Sequence, residues 1–324
     1  MTKSRSVGYY MLREGGIGVT LVILCIVFSV AAPKFGTFIN ITNIFTQISI
    51  NTVIALGMTF VILLGGIDLS VGSVLALCTI ASGKIIVNAA LPVPAAIFLS
   101  ILASIAVGMA AGLFNGFISE RWKIPAFVVT LGMLNIARGM ALTVSDSRTI
   151  FGFPAVFNSV GSKTFFGIPI IFVIAVFLIV IGEFVLRKTV YGRLLYAIGN
   201  NEESVRLSGH NVRKFKIIAY IICGAAVGIA AIMYMMRLNI SSPILGNGFE
   251  LTAIAAVVIG GTRMSGGKGS LIGTILGASI LGVLNNGLLL IGLGDFARQI
   301  VTGMIIIGAV ILDFYRGKVS EALR

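Results

Sequence analysis

The chain has 324 residues, of which 57% are hydrophobic and 11% charged, with a mean hydropathy of +1.07. A soluble domain holds about 45 to 50% apolar residues, so this composition excludes an ordinary soluble fold and places the chain in a lipid bilayer. The formal net charge of +13 would suit nucleic acid if the basic residues gathered on one folded face; they lie between apolar runs instead, and no nucleic-acid partner is expected.

At about 20 apolar residues per crossing of a roughly 30 Å hydrocarbon core, the sequence predicts an all-α polytopic bundle of about ten transmembrane helices. They fall near 15–32, 43–64, 71–90, 92–118, 125–144, 168–186, 217–236, 250–262, 269–292 and 297–315, all within one transmembrane domain covering 1–324. The first follows Lys3, Arg5 and Arg13 and ends in Ser29-Val30-Ala31-Ala32, as a signal peptide does, but the spans behind it favour an uncleaved anchor. The eighth is too short to cross alone.

In the second span Asn43, Gln47 and Asn51 recur every four residues and share one face. Amides in lipid need partners, so they line either a helix contact or a wet path. The same alternatives hold for Asn135 with Arg138 in the fifth span and for Asn285 with Asn286 in the ninth. Many amides with few net charges favour a sugar-like solute.

Between the second and third spans, GGIDLSVGS (65–73) sets Asp68 at a helix break in apolar surroundings. A bare charge there costs at least about 2.5 kcal/mol. Asp68 therefore either caps the third span or faces a translocation path. Small residues recur at fourfold spacing as Ser100, Ser104, Gly108, Gly112 and Gly116, as Gly224 and Gly228, and as Gly269, Gly273 and Gly277. Such smooth faces let helix backbones approach closely in lipid.

A weak echo links VILLGGIDLSVGSVL (61–75) with AVVIGGTRMSGGKGSLI (256–272), and repeated halves are common in transporters. The second copy also imitates a phosphate-binding loop. The glycine required five positions before Gly267 is Thr262, and Lys268 precedes Gly269 rather than Ser or Thr. No nucleotide or other cofactor is expected. Cys25, Cys78 and Cys223 lie apart in apolar runs and His210 stands alone, so neither a metal site nor a catalytic cluster is visible.

With the N-terminus inside, 17 basic residues face the cytoplasm: Lys3, Arg5, Arg13, Arg121, Lys123, Arg187, Lys188, Arg193, Arg206, Arg213, Lys214, Lys216, Arg263, Lys268, Arg316, Lys318 and Arg324. Only Lys34, Lys84, Arg148, Lys163, Arg237 and Arg298 fall outside, with Arg138 inside a span. That split predicts cytoplasmic termini. The one long polar stretch, about 187–216, then faces the cytoplasm. Within it NNEESVRLSGHNV (200–212) has Asn200 or Asn201 as a cap, Glu202 and Glu203 in a first turn, Arg206 one turn later, and Gly209 as a stop, which predicts a two-turn helix.

This segment resembles the coupling motif of permease subunits of bacterial ATP-binding-cassette importers. With GGIDLSVGS before it and AVVIGGTRMSGGKGSLIGTILGA (256–278) after it, the chain from about 15 to 318 resembles the ribose, galactose and autoinducer type of sugar permease. It departs from the usual pattern at Gly199-Asn200-Asn201 and at Ser204-Val205, where Gly-Gly-Asn and paired alanines are common. The resemblance implies a non-catalytic subunit of the bacterial inner membrane. Its partners would be an ATPase subunit, a periplasmic sugar-binding protein and a second permease chain, the same or related. Glu202, Glu203, Arg206, Leu207 and Gly209 would couple to the ATPase, and Asn51, Asp68, Asn135, Arg138, Asn285 and Asn286 are candidate path residues. The alternative is an ion-coupled secondary transporter, which needs buried carboxylates along its path; only Asp68, Glu250, Glu183 and Asp295 lie near spans.

Overall fold

A computed structural model describes residues 3–88 and 90–322. In chain order they form α1 (Lys3–Ala31), α2 (Phe38–Leu63), α3 (Val71–Ile86), α4 (Val93–Trp122), α5 (Ala126–Val144), α6 (Ala155–Ser162), β1 (Thr164–Phe165), β2 (Ile168–Pro169), α7 (Ile170–Lys188), α8 (Val190–Asn200), α9 (Glu202–Leu207), α10 (Val212–Leu238), α11 (Phe249–Ile259), α12 (Leu271–Leu290) and α13 (Asp295–Ala322). Each predicted span falls on a helix. Six of the described helices, α2, α4, α5, α7, α10 and α12, are long and apolar enough to cross a membrane by themselves. The apolar part of α1, α3 and α11 are shorter. The side chains of Lys3, Arg5, Arg13, Arg316 and Lys318, and all of Arg324, lie outside the described residues.

Proline marks several helix starts. Pro92, Pro125, Pro154 and Pro169 immediately precede α4, α5, α6 and α7, where the missing N–H costs no helical hydrogen bond. At the other end, Lys123 and Asn239 close α4 and α10 in left-handed geometry, which lets the chain turn away.

Burial grades from centre to rim. In the apolar window of α2, 83% of residues are buried, against 22% in α5, so α2 is central, touching α7, α10, α11 and α12, while α5 shows most of its surface. Lipid tails are as apolar as leucine, so burial alone does not draw these helices together; close packing must. The predicted smooth faces supply it. A Cβ on Gly108 would overlap the Gly224 carbonyl, one on Gly112 the Tyr220 carbonyl, and one on Gly228 would sit 2.6 Å from the Ser104 carbonyl oxygen. The Ser104 hydroxyl donates to Gly228 O at 2.7 Å, which ties the same seam. In the second seam, Gly273 lies against Gly260 and Gly277 against Ala256, joining α12 to α11.

Two features go beyond the sequence expectation. The polar stretch 187–216 contains a second helix, α8, capped by Thr189, whose hydroxyl accepts from Gly192 N at 3.2 Å; its apolar Leu195 and Ile198 are buried. And the segment between α10 and α11 packs into the bundle rather than over its surface. The Ser241 hydroxyl donates to Thr79 O of α3 at 2.7 Å, and Gly246 packs directly on Gly72 at the start of α3.

Candidate functional site

At one end of the bundle α8 and α9 form an elbow between α7 and α10. Asn201 is the cap of α9, its Oδ1 accepting from Ser204 N at 3.0 Å. Asn200 instead ends α8, donating to Tyr196 O at 2.8 Å and Gly267 O at 3.1 Å. Val205 fastens the inner side of α9 in a cluster with Ile198 and Val212. Gly209 ends it with φ +84°, a conformation that costs glycine nothing and burdens a side chain.

The outer side of α9 is left free. Leu207 is 73% exposed. Glu203 and Arg206 pair with one another on the surface, and the Arg206 hydrogen bonds hold the Glu203 carboxyl below its usual range. An exposed pair adds little stability, so α9 rests on its cap and on Val205, and its charged face is available to a partner. Glu202 is different. Its carboxylate accepts from Lys216 at 2.6 Å, and Lys216 also meets the buried Glu120 at 3.1 Å. Glu202 thus anchors α9 to the ends of α4 and α10. Nothing local in the sequence signals this pairing, since Glu120 and Lys216 are far apart along the chain.

The two echoed breaks meet beneath the elbow. Each ends a helix, turns through left-handed glycines (Gly65 in one; Gly261, Gly266 and Gly267 in the other) and starts the next helix after a serine, Ser70 or Ser270. Gly267 N donates to Leu63 O at 2.9 Å. The second break follows a helix rather than a strand, and part of its backbone closes on itself through Arg263 N to Lys268 O at 2.9 Å. It has the context of a helix connection and not of a phosphate loop.

Asp68 is 3% exposed. Its Oδ1 accepts from Ser70 N at 2.9 Å and from the Ser70 hydroxyl at 2.6 Å, and Asn115 Nδ2 approaches Oδ2 at 3.4 Å. It holds the residue that precedes α3 rather than a free amide of the helix itself. Asp68→Ala should strand two buried donors, the Ser70 amide and hydroxyl, at about 1 to 3 kcal/mol for each group left unpaired, while Asn115 Nδ2 keeps the Ser70 hydroxyl oxygen at 3.0 Å; the melting midpoint in detergent should fall sharply. Asp68→Asn should be tolerated, because Asn keeps one oxygen for Ser70 and the Asn115 amide can turn, offering its Oδ1, which has no donor now. An Asn variant of normal stability and abundance that fails to transport would assign Asp68 to the path instead.

The other predicted polar residues divide. Asn286 pairs reciprocally with Asn40 at 2.9 Å in both directions, both buried, so of the two alternatives it occupies a helix contact; Asn40 was not foreseen. Asn285 and Asn51 are partly exposed. Asn135 is exposed and bonds its own helix at Leu131 O, 3.2 Å. Arg138 reaches across to the segment after α10, donating to Pro243 O at 2.5 Å, Leu245 O at 2.9 Å and Asn247 Oδ1 at 3.1 Å.

The described helices make an all-α polytopic membrane protein with a helical elbow at one end of the bundle and an unwound segment within it. The chain belongs to the family of branched-chain amino acid transport system permease components, whose model matches residues 40–312. It is 38% identical over 320 residues to the ribose import permease protein of Haemophilus influenzae, covering 98% of this chain and 97% of that protein. It is 40% identical to the ribose import permease protein of Bacillus subtilis (94% and 93% covered) and 35% identical to the D-allose transport system permease protein of Escherichia coli (93% and 91% covered). No solved structure matches.

Proposed function

We propose that this chain is the membrane-spanning, non-catalytic subunit of an ATP-driven importer of a monosaccharide. The observation that carries this reading is similarity over nearly the whole chain to permeases of ribose and allose. The geometry supports it: α9 presents Leu207, Glu203 and Arg206 outward, while Asn200 ties the elbow to the second helix break at Gly267, which in turn bonds Leu63 at the first. In this reading an ATPase subunit docks on α9, a binding protein delivers the sugar on the opposite side, and a second permease chain completes the path. Nucleotide binding does work only by favouring one shape of the permease over another. Labelled ribose and allose should enter proteoliposomes carrying the permease, its ATPase and its binding protein only when ATP is supplied. Uptake driven by an ion gradient without ATP would overturn the proposal.

The same reading sets about ten crossings in a bacterial inner membrane, with both termini and α9 on the cytoplasmic side. Ser208, exposed beside Leu207, reports the orientation. Ser208→Cys should react with an impermeant thiol reagent in inverted vesicles and stay unreactive in sealed cells; the reverse pattern would refute the topology.

A further inference from the structure

Between α10 and α11 the chain leaves helical geometry at Asn239 and regains it only at Phe249. Pro243 removes a donor, and Gly246 and Gly248 take φ of +76° and +79°, so residues 239–248 do not form a helix. The segment does not stay at the surface. It runs along α3 from Gly83, beside Ser241, to Gly72, beside Gly246; the helical rise between those two glycines is about 16 Å, roughly half the hydrocarbon core.

Irregular backbone at that depth is stable only where it is buried in protein or lines water. The segment meets the first condition on one side and is placed for the second on the other. Ser241 and Ser242 are buried against the bundle, whereas Asn247 is exposed beside Arg138 and, one turn earlier on α5, the exposed Asn135. The Arg138 fork offers five N–H donors, and its three hydrogen bonds to Pro243, Leu245 and Asn247 hold the segment open. Glu250, partly exposed, accepts from Gly248 N at 3.2 Å.

We propose that Arg138, Asn247 and Asn135, on the unwound segment and the α5 face beside it, form a subsite for the hydroxyls of a neutral polyol on a water-filled path near mid-membrane. The inference rests on the reading of the chain as a solute permease. One cation and one carboxylate stand in the cluster, so it favours neither an anion nor a cation, while amide and guanidinium groups match a solute made of hydroxyls. Asn247 is the added residue: no regular periodicity marks it, and its place follows only from the path of the segment.

The test is the reactivity of Asn247→Cys with a hydrophilic methanethiosulfonate reagent in the reconstituted complex, with Phe177→Cys on the exposed face of α7 as a lipid-facing control. Asn247→Cys should react, the control should not, and D-ribose or another transported sugar at about four times its dissociation constant should slow the reaction by about fivefold, the fraction of sites left free. A failure of Asn247→Cys to react, or a rate unchanged by a transported sugar, overturns the subsite. So does oxidative cross-linking of Asn247→Cys between two copies without reagent access, which would make this face a packed interface. The reactivity arm needs no sugar, so a complex that transports no monosaccharide refutes the proposed function while the wet path is still decided.

Discussion

Gly224→Val is expected to destabilise the bundle sharply. Its Cβ would overlap the Gly108 carbonyl, and the atoms it meets are backbone, which cannot swing aside as a side chain can. The two helices would have to separate along the seam that runs from Ser104 to Gly116, breaking the 2.7 Å Ser104 to Gly228 bond. The shift would spread further, because α10 also lies on α2, where a Cβ on Gly57 would be 2.8 Å from the Cys223 Cα. Overpacking of a close-packed site costs about 1 to 3 kcal/mol and occasionally more, and the upper end applies where backbone opposes backbone. The measurement is the melting midpoint in detergent together with abundance in the membrane. Gly18→Ala on α1, which would meet nothing within 4 Å, serves as a control and should stay within about 0.5 kcal/mol of the parent. A Gly224→Val protein as stable as the parent would show that the seam is not tight.

Leu207→Asp is expected to detach the ATPase while leaving the permease folded. The side chain is exposed and Val205 carries the packing of α9, so the substitution removes nothing from the bundle. A docked leucine gives up about 1.5 to 3 kcal/mol of burial when lost, and a carboxylate adds a desolvation cost, so capture of the ATPase should fall at least about tenfold. Arg206→Glu should act in the same direction, by placing two carboxylates one turn apart where Glu203 and Arg206 now pair. Gly209→Val tests the helix stop. Nothing surrounds that position within 4 Å, so its cost is conformational alone, from a β-branched residue at φ +84°. Co-purification of the ATPase and sugar-stimulated ATP hydrolysis in proteoliposomes read all three. Full stimulation by Leu207→Asp and Arg206→Glu would remove α9 from the docking surface.

Local signals in the sequence located α9, because a cap, a first-turn pair of acids and a stopping glycine lie within ten residues of one another. The same holds for the helices at the predicted spans, which need only runs of apolar residues, and for the smooth faces of α4, α10 and α12, which follow from fourfold spacing. The partners of those features were not legible. Asn286 with Asn40, Asp68 with Asn115, and Lys216 with Glu120 and Glu202 join residues distant in the chain, and no short-range pattern records which polar groups will meet. Thr189, Leu195 and Ile198 are spaced as a capped amphipathic helix, but the charges around them mask α8 within a polar stretch. The inward course of 239–248 was decided by tertiary structure alone: Pro243, Gly246 and Gly248 announce an irregular segment, but only the groove beside α3 and the Arg138 fork draw it into the bundle, since exposed backbone at that depth must find hydrogen-bond partners in protein or water.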